Sequence, residues 1–454
     1  MRYQADAGNI RMILAGDAML TRKLSPFNEP PYLALRDLVR GADAAFANLE
    51  TNVREAGEGI AVATQGTPMT ATPDLLDELK WFGFNMVAAA NNHVGDYGPG
   101  GVVATADHLR AARIPFAGCG VNMAAARAPG YCDTPAGRIG LVAATSRYKA
   151  GDRASEQRAD MTGRPGINPL AYDFEYSVSK ADFEVLTRLS RELGLSKERE
   201  RKRSQFYAES EAPDDSFDVI DFFDQRVVRG QTSHVRTIVN KRDAEANLRW
   251  IREAKRQSDW VIFSFHNHEF GNAGRLTART NVGLEEPAEF MSEFAKAAID
   301  AGADVIAGHG PHLTLGVEVY KGRPILYSLG NFILQNDTVR QVPSESYQRF
   351  DLGHDATPAD FFDSRTGNET RGFPAQKEFW ETFVAEVRFK DRQLDALLLH
   401  PVALGFRKSR AQRGRPVMAE GQEAADIIHR VSRLSERFGT RIQKNGDVAE
   451  VLLR

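Results

Sequence analysis

Short apolar runs alternate along the chain with longer segments of helical pattern, and this alternation restricts the fold more than any other feature. The apolar runs predict buried strands, and the segments between them predict helices that begin near Pro73-Asp74 and Glu286-Pro287. Such alternation is typical of a layered α/β domain. The predicted strands are residues 10–16, 43–48, 84–90, 138–144, 259–265, 303–307 and 325–329, and the predicted helices are residues 74–82, 101–113, 243–258 and 287–301.

Two segments depart from this alternation and set the expected domain boundaries. Residues 151–235 contain the stretch SKERERKRSQ, whose mixed charges are typical of an exposed helix face. We expect a mostly helical insertion here; a lid over a site, or a docking surface for a charged partner, is the alternative. Residues 406–454 are expected to form a C-terminal helical segment. Residues 1–150 and 236–405 would then form one domain.

The composition excludes several classes of function before any motif is considered. The chain has 454 residues, of which 42% are hydrophobic and 26% charged, as in a globular protein with a large core. A net charge of −3 and a pI near 6.4 argue against charge-driven binding of nucleic acid or of an anionic membrane. Cys119 and Cys132 are too few for a disulfide framework. Because no run approaches the ~20 apolar residues of a membrane span, we expect a cytoplasmic protein.

Side chains that bind metals or transfer protons follow the predicted strands at the points where the strands end. In open α/β sheets, ligands bind beyond the carboxyl ends of the strands. Five of the ten histidines fall at these ends, together with carboxylates and an amide. Any one of them alone would suit a structural role, such as a helix cap at Asp17 or a half-buried histidine at His309. The whole set is Asp17, Glu50, Asn92, His93, Asp96, His266, His268, His309 and His312.

The residue types of this set indicate a divalent metal centre. Mixed imidazole and carboxylate ligands favour Zn, Mn or Fe, whereas Mg and Ca prefer all-oxygen sites. Glu50 has two carboxylate oxygens and could bridge two ions, and an open position would hold a water of lowered pKa. Asp96 follows His93 by three residues, so a short turn would let the carboxylate orient the imidazole as a general acid or an oxyanion stabiliser.

The order of these motifs, "GD … NLE … NNHxxDxG … H … GHxPH … SLGNF", resembles the CapA family of poly-γ-glutamate capsule-synthesis proteins, within the calcineurin-like metallophosphoesterase superfamily. The similarity runs over residues 11–146 and 246–335. It implies a four-layer αββα sandwich with one or two divalent ions at one edge. It also implies that His93 occupies the position of the catalytic histidine. By motif position, Asp17 and His312 would bind the first metal, Glu50 would bridge, and Asn92, His266 and His309 would bind the second metal.

Two departures from the superfamily pattern bear on this assignment. The first motif usually offers Asp-x-His, but Ala18-Met19 follows Asp17, so the first metal loses a ligand. The second motif offers Asn-Leu-Glu rather than Gly-Asp-x-x-Asp, so the bridge would be a longer carboxylate. The segment HNHE adds an ambiguity, since either His266 or His268 could be the ligand. We favour His266, the first residue after the strand, which leaves His268 and Glu269 to face the substrate or to support the ligands.

Three functions remain open from the sequence. The first is a metal-dependent hydrolase that uses activated water on a peptide or amide, such as a glutamate polymer, or on a phosphoester. The second is a peptide epimerase, in which His93 or His268 moves the α-proton beside a metal-polarised carbonyl. The third is a non-catalytic component of poly-γ-glutamate synthesis or export. In each case the expected partner is a small molecule or a peptide, without nucleic acid and without a membrane span.

Overall fold

The computed structural model describes residues 8–63, 66–206, 215–271 and 284–453. The chain forms a mixed α/β fold, as its alternating pattern predicts, and divides into two compact units. The first unit contains Met1–Leu170, Arg242–His268 and Ala295–Arg454, and the second contains Ala171–Lys241 and Glu269–Phe294.

The helices and strands of the described residues are numbered in chain order. The helices are α1 (Pro30–Arg40), α2 (Leu75–Phe82), α3 (Gly98–Ala111), α4 (Met123–Arg127), α5 (Lys180–Glu192), α6 (Leu195–Phe206), α7 (Lys241–Gln257), α8 (Glu289–Asp300), α9 (Ser344–Gln348), α10 (Pro358–Thr366) and α11 (Gly421–Glu436). The strands are β1 (Ile10–Met19), β2 (Ala44–Asn48), β3 (Asn52–Val53), β4 (Thr70–Ala71), β5 (Met86–Ala88), β6 (Phe116–Ala117), β7 (Cys119–Gly120), β8 (Gly130–Thr134), β9 (Gly137–Thr145), β10 (Gly166–Ile167), β11 (Tyr172–Ser179), β12 (Val219–Phe222), β13 (Gln225–Gly230), β14 (His234–Val239), β15 (Trp260–His266), β16 (Val305–His309), β17 (Val317–Tyr320), β18 (Arg323–Leu326), β19 (Asn331–Leu334), β20 (Glu381–Lys390), β21 (Gln393–Ala403), β22 (Val417–Met418), β23 (Ile442–Asn445) and β24 (Val448–Val451).

The first unit contains a ten-stranded sheet centred on β1. Its path is β23-β24-β21-β20-β1-β2-β5-β6, with β19 added beside β1 and β22 beside β21. β1 is parallel to β2 and β19, which places Asp17 opposite Asn48 and Asn331. On the side opposite β2, residues 10–14 of β1 are antiparallel to β20, which forms a hairpin with β21, and β19 pairs with residues 17–19 on that same side.

A six-stranded sheet in the same unit carries His266 and His309. Its order is β17-β18-β16-β15-β9-β8, and β9, β15, β16 and β18 are parallel neighbours. The register of β15 and β16 pairs His266 with His309 at their carboxyl ends. One apolar cluster joins side chains of both large sheets, among them Leu14 and Phe46 from the first and Trp260 from the second. Burial of this apolar area stabilises the position of the strands whose carboxyl ends carry Asp17, His266 and His309.

The second unit differs from the mostly helical insertion that the sequence predicts. It contains a four-stranded sheet of order β12-β13-β11-β14 as well as α5 and α6, and it begins at Ala171 rather than at residue 151. Phe183 of α5 packs against Ile220 and Val227 of this sheet. The prediction is wrong here because β11 alternates polar and apolar residues and the apolar stretches of β12 and β13 are very short, so these strands do not appear as apolar runs.

The C-terminal segment is also more than a helix. α11 is present, but β22 pairs with β21, and the hairpin of β23 and β24 extends the ten-stranded sheet. These strands have only two to four residues, too few for a periodic signal in the sequence. Within the described residues, no helix combines the length and the apolar character that crossing a bilayer requires.

Candidate metal centre

The carboxyl ends of parallel strands bring the predicted site residues together within the first unit. Asp17 lies near the end of β1, and Glu50 lies two residues beyond β2. His266 and His309 are the last residues of β15 and β16. His312 follows in the turn after β16. All of these side chains are therefore held by strands that the apolar core fixes, rather than by long loops.

Asp17 is fully buried and is held by donors from two different segments. Asn48 Nδ2 donates to Oδ1 at 2.8 Å, and the Gly310 amide donates to Oδ2 at 3.0 Å. His309 Nδ1 lies 3.4 Å from Oδ1, and His312 Nδ1 lies 3.3 Å from Oδ2. Burial alone would raise the pKa of Asp17, but these imidazoles and that of His266 outweigh it and hold the pKa well below its usual value. Asp17 is thus an ionised carboxylate in a dry site.

Glu50 is fully buried, and neither of its carboxylate oxygens has a hydrogen-bond partner among the described residues. Instead, the Nε2 atoms of His93, His266 and His312 each lie 3.8 Å from Glu50 Oε1. Two ligands of one Zn-like ion are separated by roughly 3–4 Å, so this spacing fits a shared cation. Burial, and then the charge of Asp17, raises the pKa of Glu50 well above its usual value. A bound cation would give this carboxylate the partner that it lacks.

The described ligand atoms form two groups in which all atoms lie within 4.8 Å of one another. The first group is Asp17, His266 and His309, and the second is Glu50, His268 and His312. Asp17 is close to His312 as well, so the two groups meet. The ligand sets that the family resemblance implies, with Asp17 beside His312 and His266 beside His309, are both represented by short distances.

His266 and His268 are held in neutral forms, and the ring of His266 is oriented by its neighbours. His266 Nδ1 lies 3.0 Å from His309 Nδ1, and His266 Nε2 lies 2.8 Å from the side-chain oxygen of Asn92, as the predicted pairing requires. Burial lowers the pKa of His266 to about 3. Burial, followed by the charges of His266 and His312, lowers the pKa of His268 well below its usual value. Neutral imidazole is the form that binds a metal ion.

The sequence assigns His268 to substrate binding or to support of the ligands. In the structure, His268 lies among the candidate ligands themselves. Its ring faces His266 at a centroid distance of 5.2 Å and His312 at 5.6 Å. Met19 stands where the superfamily motif has a histidine, and His268 brings an imidazole to the group of Glu50 and His312. Glu269 belongs to the second unit, where its carboxylate accepts a hydrogen bond from the Tyr172 hydroxyl.

His93 and Asp96 form a pair of the kind that the motif spacing predicts. His93 Nδ1 lies 2.6 Å from Asp96 Oδ2, and the same oxygen accepts the Met69 amide at 2.8 Å. With Nδ1–H donating to Asp96, the His93 Nε2 atom is directed to Glu50 at 3.8 Å. Asp96 thus selects one tautomer of His93 and aims its other nitrogen at the centre.

The turn after β16 has an unusual backbone. His312 has φ +61°, a left-handed conformation that is rare for residues other than glycine and that is found at functional sites. Gly310 has φ +112°, and a Cβ atom built there would lie 2.3 Å from the Asn267 carbonyl oxygen. This close approach lets the Gly310 amide reach Asp17.

Sequence reasoning missed the uncharged residues that orient the ligands. Asn48 bridges Asp17 and His266, the Ser264 hydroxyl lies 2.7 Å from His309 Nε2, and the Asn331 side-chain oxygen lies 2.9 Å from His312 Nδ1. The available signal was their position: Asn48 and Asn331 stand at strand ends, and Ser264 precedes His266 by two residues on the same strand face.

Comparison with known proteins adds a family context to this geometry. The sequence model of a family described as bacterial capsule synthesis protein PGA_cap matches residues 11–336, which include every residue of the site. Uncharacterized protein y4sH of Sinorhizobium fredii is 33% identical over 444 residues, 95% of this chain and 90% of that protein. The PGA biosynthesis protein CapA of Bacillus subtilis is 34% identical over 131 residues, 26% of this chain and 31% of that protein. The capsule biosynthesis protein CapA of Bacillus anthracis is 23% identical over 354 residues, 75% of this chain and 63% of that protein.

Proposed function

The chain belongs to the bacterial capsule synthesis protein family, a calcineurin-like metallophosphoesterase-type family, and on that premise we propose that it is a metal-dependent hydrolase of an amide bond in a glutamate-polymer-like substrate. The observation that carries the proposal is Glu50, a buried carboxylate with two unpartnered oxygens that faces three histidine Nε2 atoms. The four-layer αββα sandwich is part of the same proposal, which the core shared by the two large sheets supports.

Six residues would hold the metal. Asp17, His266 and His309 supply one group of donors, with the Asn92 oxygen beside His266. Glu50, His268 and His312 supply the other. Bound divalent ions of the Mn, Zn or Fe type would lower the pKa of water and polarise the carbonyl of the substrate.

The protein's own contribution to the reaction is to orient groups and to move a proton. Hydrolysis forms a bond from the water oxygen to the carbonyl carbon and breaks the C–N bond, so the leaving amine must gain a proton. His93 is placed to take a proton from the attacking water at Nε2 and then to give it to the leaving amine, because Asp96 holds Nδ1–H on the far side of its ring.

The substrate class follows from the relatives' names, which refer to PGA biosynthesis and capsule biosynthesis. A glutamate polymer offers amide bonds flanked by carboxylates. An amide substrate therefore fits the family context better than a phosphoester, although the same donors suit either reaction.

The test uses the purified full chain loaded with Mn²⁺, assayed on γ-linked and α-linked glutamate oligomers and on an aryl phosphate. Release of glutamate or shorter oligomers, lost after chelation and restored by Mn²⁺, is the expected result. Turnover of the aryl phosphate alone would replace the amide substrate with a phosphoester. Solvent deuterium at the α-carbon without cleavage would instead establish epimerisation, and a metal-loaded protein inactive on the whole panel would contradict catalysis.

A further inference from the structure

A small cavity in the first unit adjoins the metal centre and is lined by arginine and aromatic side chains. Its volume is about 130 Å³, and its lining includes Arg365, Phe373, Trp380, Arg410 and Arg413. Such a volume is below the roughly 300–1,000 Å³ of a typical ligand pocket, so the cavity suits one terminal group of a larger molecule.

Two residues that line the cavity make contacts that lead toward the site. The Phe373 ring packs edge-on against the imidazole of His312, at a centroid distance of 5.2 Å. On the other side, the Arg365 guanidinium donates to the Thr67 hydroxyl. Thr67 stands two residues before Met69, whose amide holds Asp96 of the catalytic pair. A group seated in the cavity would therefore lie against Phe373, whose ring contacts His312 of the site.

Most of the positive charge on the lining is already neutralised. Arg413 Nη2 lies 2.5 Å from Asp337 Oδ2, and Arg410 Nη2 lies 2.5 Å from Asp363 Oδ1. Arg371 is exposed, and its guanidinium donates to backbone carbonyls. Arg413 and Arg410 are therefore paired with carboxylates, and Arg371 is exposed to solvent, so these three arginines have structural or solvated roles.

Arg365 is different, because no carboxylate among the described residues lies within ion-pair distance of its guanidinium. Its hydrogen bond goes to the neutral hydroxyl of Thr67. Burial lowers the pKa of Arg365, and the charge of Arg349 lowers it further, with no anion acting in the opposite direction. A largely buried cation without a counter-charge is costly in a folded protein. The structure thus contains a cationic position that an external anion would complete.

We propose that this cavity binds a carboxylate of the substrate and that Arg365 is the residue that positions it. The planar guanidinium fork matches a carboxylate through two parallel hydrogen bonds. Phe373 and Trp380 would exclude water from this contact. The inference rests on the proposed function, since it names the part of a glutamate-polymer substrate that is recognised, and it places a free carboxylate next to the amide that is cleaved.

The test compares binding of two probes to the Mn²⁺-loaded full chain by calorimetry. The probes are a short γ-linked glutamate oligomer and the same oligomer with its carboxylates converted to carboxamides. Arg365→Gln should weaken binding of the acid form by roughly tenfold to hundredfold, the range for a charge-assisted hydrogen bond, and should leave the weaker binding of the amide form unchanged. Arg365→Lys should recover part of the loss, because it restores charge without the fork.

Arg340→Gln is the matched control, because it removes the same charge from an exposed position. Its binding of both probes should equal that of the unmodified protein. An equal loss of acid and amide binding in Arg365→Gln, or a fall in its metal content, would make Arg365 purely structural and overturn the inference. Binding of inorganic phosphate, but not of the oligomer, that depends on Arg365 would also overturn it.

The outcomes separate this inference from the proposed function. Oligomer binding that depends on Arg365 but leads to no cleavage would remove the hydrolase and keep the carboxylate pocket. Cleavage that does not change in Arg365→Gln, measured as kcat/KM, would remove the pocket and keep the hydrolase.

Discussion

The burial of Glu50 without hydrogen-bond donors in the described part of the chain lowers the stability of the fold and leaves its carboxylate available to a cation. Buried carboxylates are normally hydrogen-bonded or paired, and leaving one without donors costs folding free energy. Asp17 has Asn48 and Gly310 as donors, whereas neither Glu50 oxygen has a partner among the described residues. The two carboxylates are therefore not equivalent: Asp17 is satisfied by the protein, and Glu50 is left to a cation.

Replacement of ligands should remove the metal and leave the fold. We expect His309→Ala and Glu50→Ala each to lose bound metal and turnover, because each deletes a donor from one of the two groups. Ser264→Ala, which deletes only the hydroxyl that orients His309, should weaken metal affinity by roughly tenfold to hundredfold. Elemental analysis together with circular dichroism measures both effects. The exposed His429→Ala is the control, and full metal content in both ligand variants would refute the site.

His93 should separate metal binding from catalysis. His93→Ala is expected to keep its metal and to lower kcat by roughly 10²–10⁴-fold, the usual contribution of a general acid. Asp96→Asn should keep the metal too, with a smaller loss, since it misorients the imidazole without removing it. Steady-state kinetics and metal analysis of the same samples make the comparison. A loss of metal in His93→Ala would show that His93 is a ligand and not a proton donor.

At the scale of elements, the turn after β16 does most to assemble the site. β16 ends at His309, and within three further residues the chain places the Gly310 amide on Asp17 and His312 beside Glu50. Such a compact path requires the left-handed backbone at Gly310 and at His312. Strained backbone of this kind persists only where the surrounding structure holds it in place.

Gly310→Ala should disturb the site more than its size suggests. The added Cβ would meet the Asn267 carbonyl at 2.3 Å, in a backbone conformation that alanine rarely adopts. We expect a loss of roughly 1–3 kcal/mol in the free energy of unfolding, with reduced metal content, measured by chemical denaturation and elemental analysis. Gly322→Ala is the control, because its φ is +72° but nothing lies within 4 Å of the new Cβ. Equal effects of the two substitutions would contradict the role of the close approach.

At the scale of the whole molecule, the candidate metal centre lies where two large sheets that share one core come to an end. The ten-stranded sheet supplies Asp17 and Glu50, and the six-stranded sheet supplies His266 and His309. Apolar residues of both sheets form one cluster beneath them. The same core therefore folds the first unit and fixes the site, and the unpartnered carboxyl group of Glu50 is a cost to the stability of the whole unit.

The metal-free protein should lose stability as the pH rises because of Glu50. Its pKa is raised well above the usual 4.5, so the folded state keeps a proton that the unfolded state releases. The resulting stabilisation is complete below that usual value and is lost as the pH rises through the folded-state pKa. His266 acts oppositely: its pKa is lowered to about 3, so stability is lost as the pH falls below its usual 6.5.

Glu50→Gln isolates the first effect, because it keeps His266. Denaturation of the chelated proteins from about pH 4 to about pH 8 should show that the unmodified protein loses more stability with rising pH, by roughly 1.4 kcal/mol per pH unit at most. The variant should also be the more stable protein at neutral pH, while binding less metal. Parallel pH profiles of the two proteins would contradict the raised pKa.

The sequence alone determined the α/β class and predicted most of the candidate ligands. Buried parallel strands appear as apolar runs, and the residues that end them must lie at one edge of a sheet, so Asp17 and His309 are readable from local pattern. The half-exposed strands of the second unit carry no such run, which explains why the predicted mostly helical insertion is wrong.

Only the tertiary structure decided which donors face one another. The grouping of His268 with Glu50 and His312, the support of His309 by Ser264, and the hydrogen bond from Arg365 to Thr67 all join segments far apart in the chain. Local periodicity determines which face of a strand a side chain occupies. Its neighbours depend on strand register and on the packing of two sheets, and these are properties of the whole folded unit.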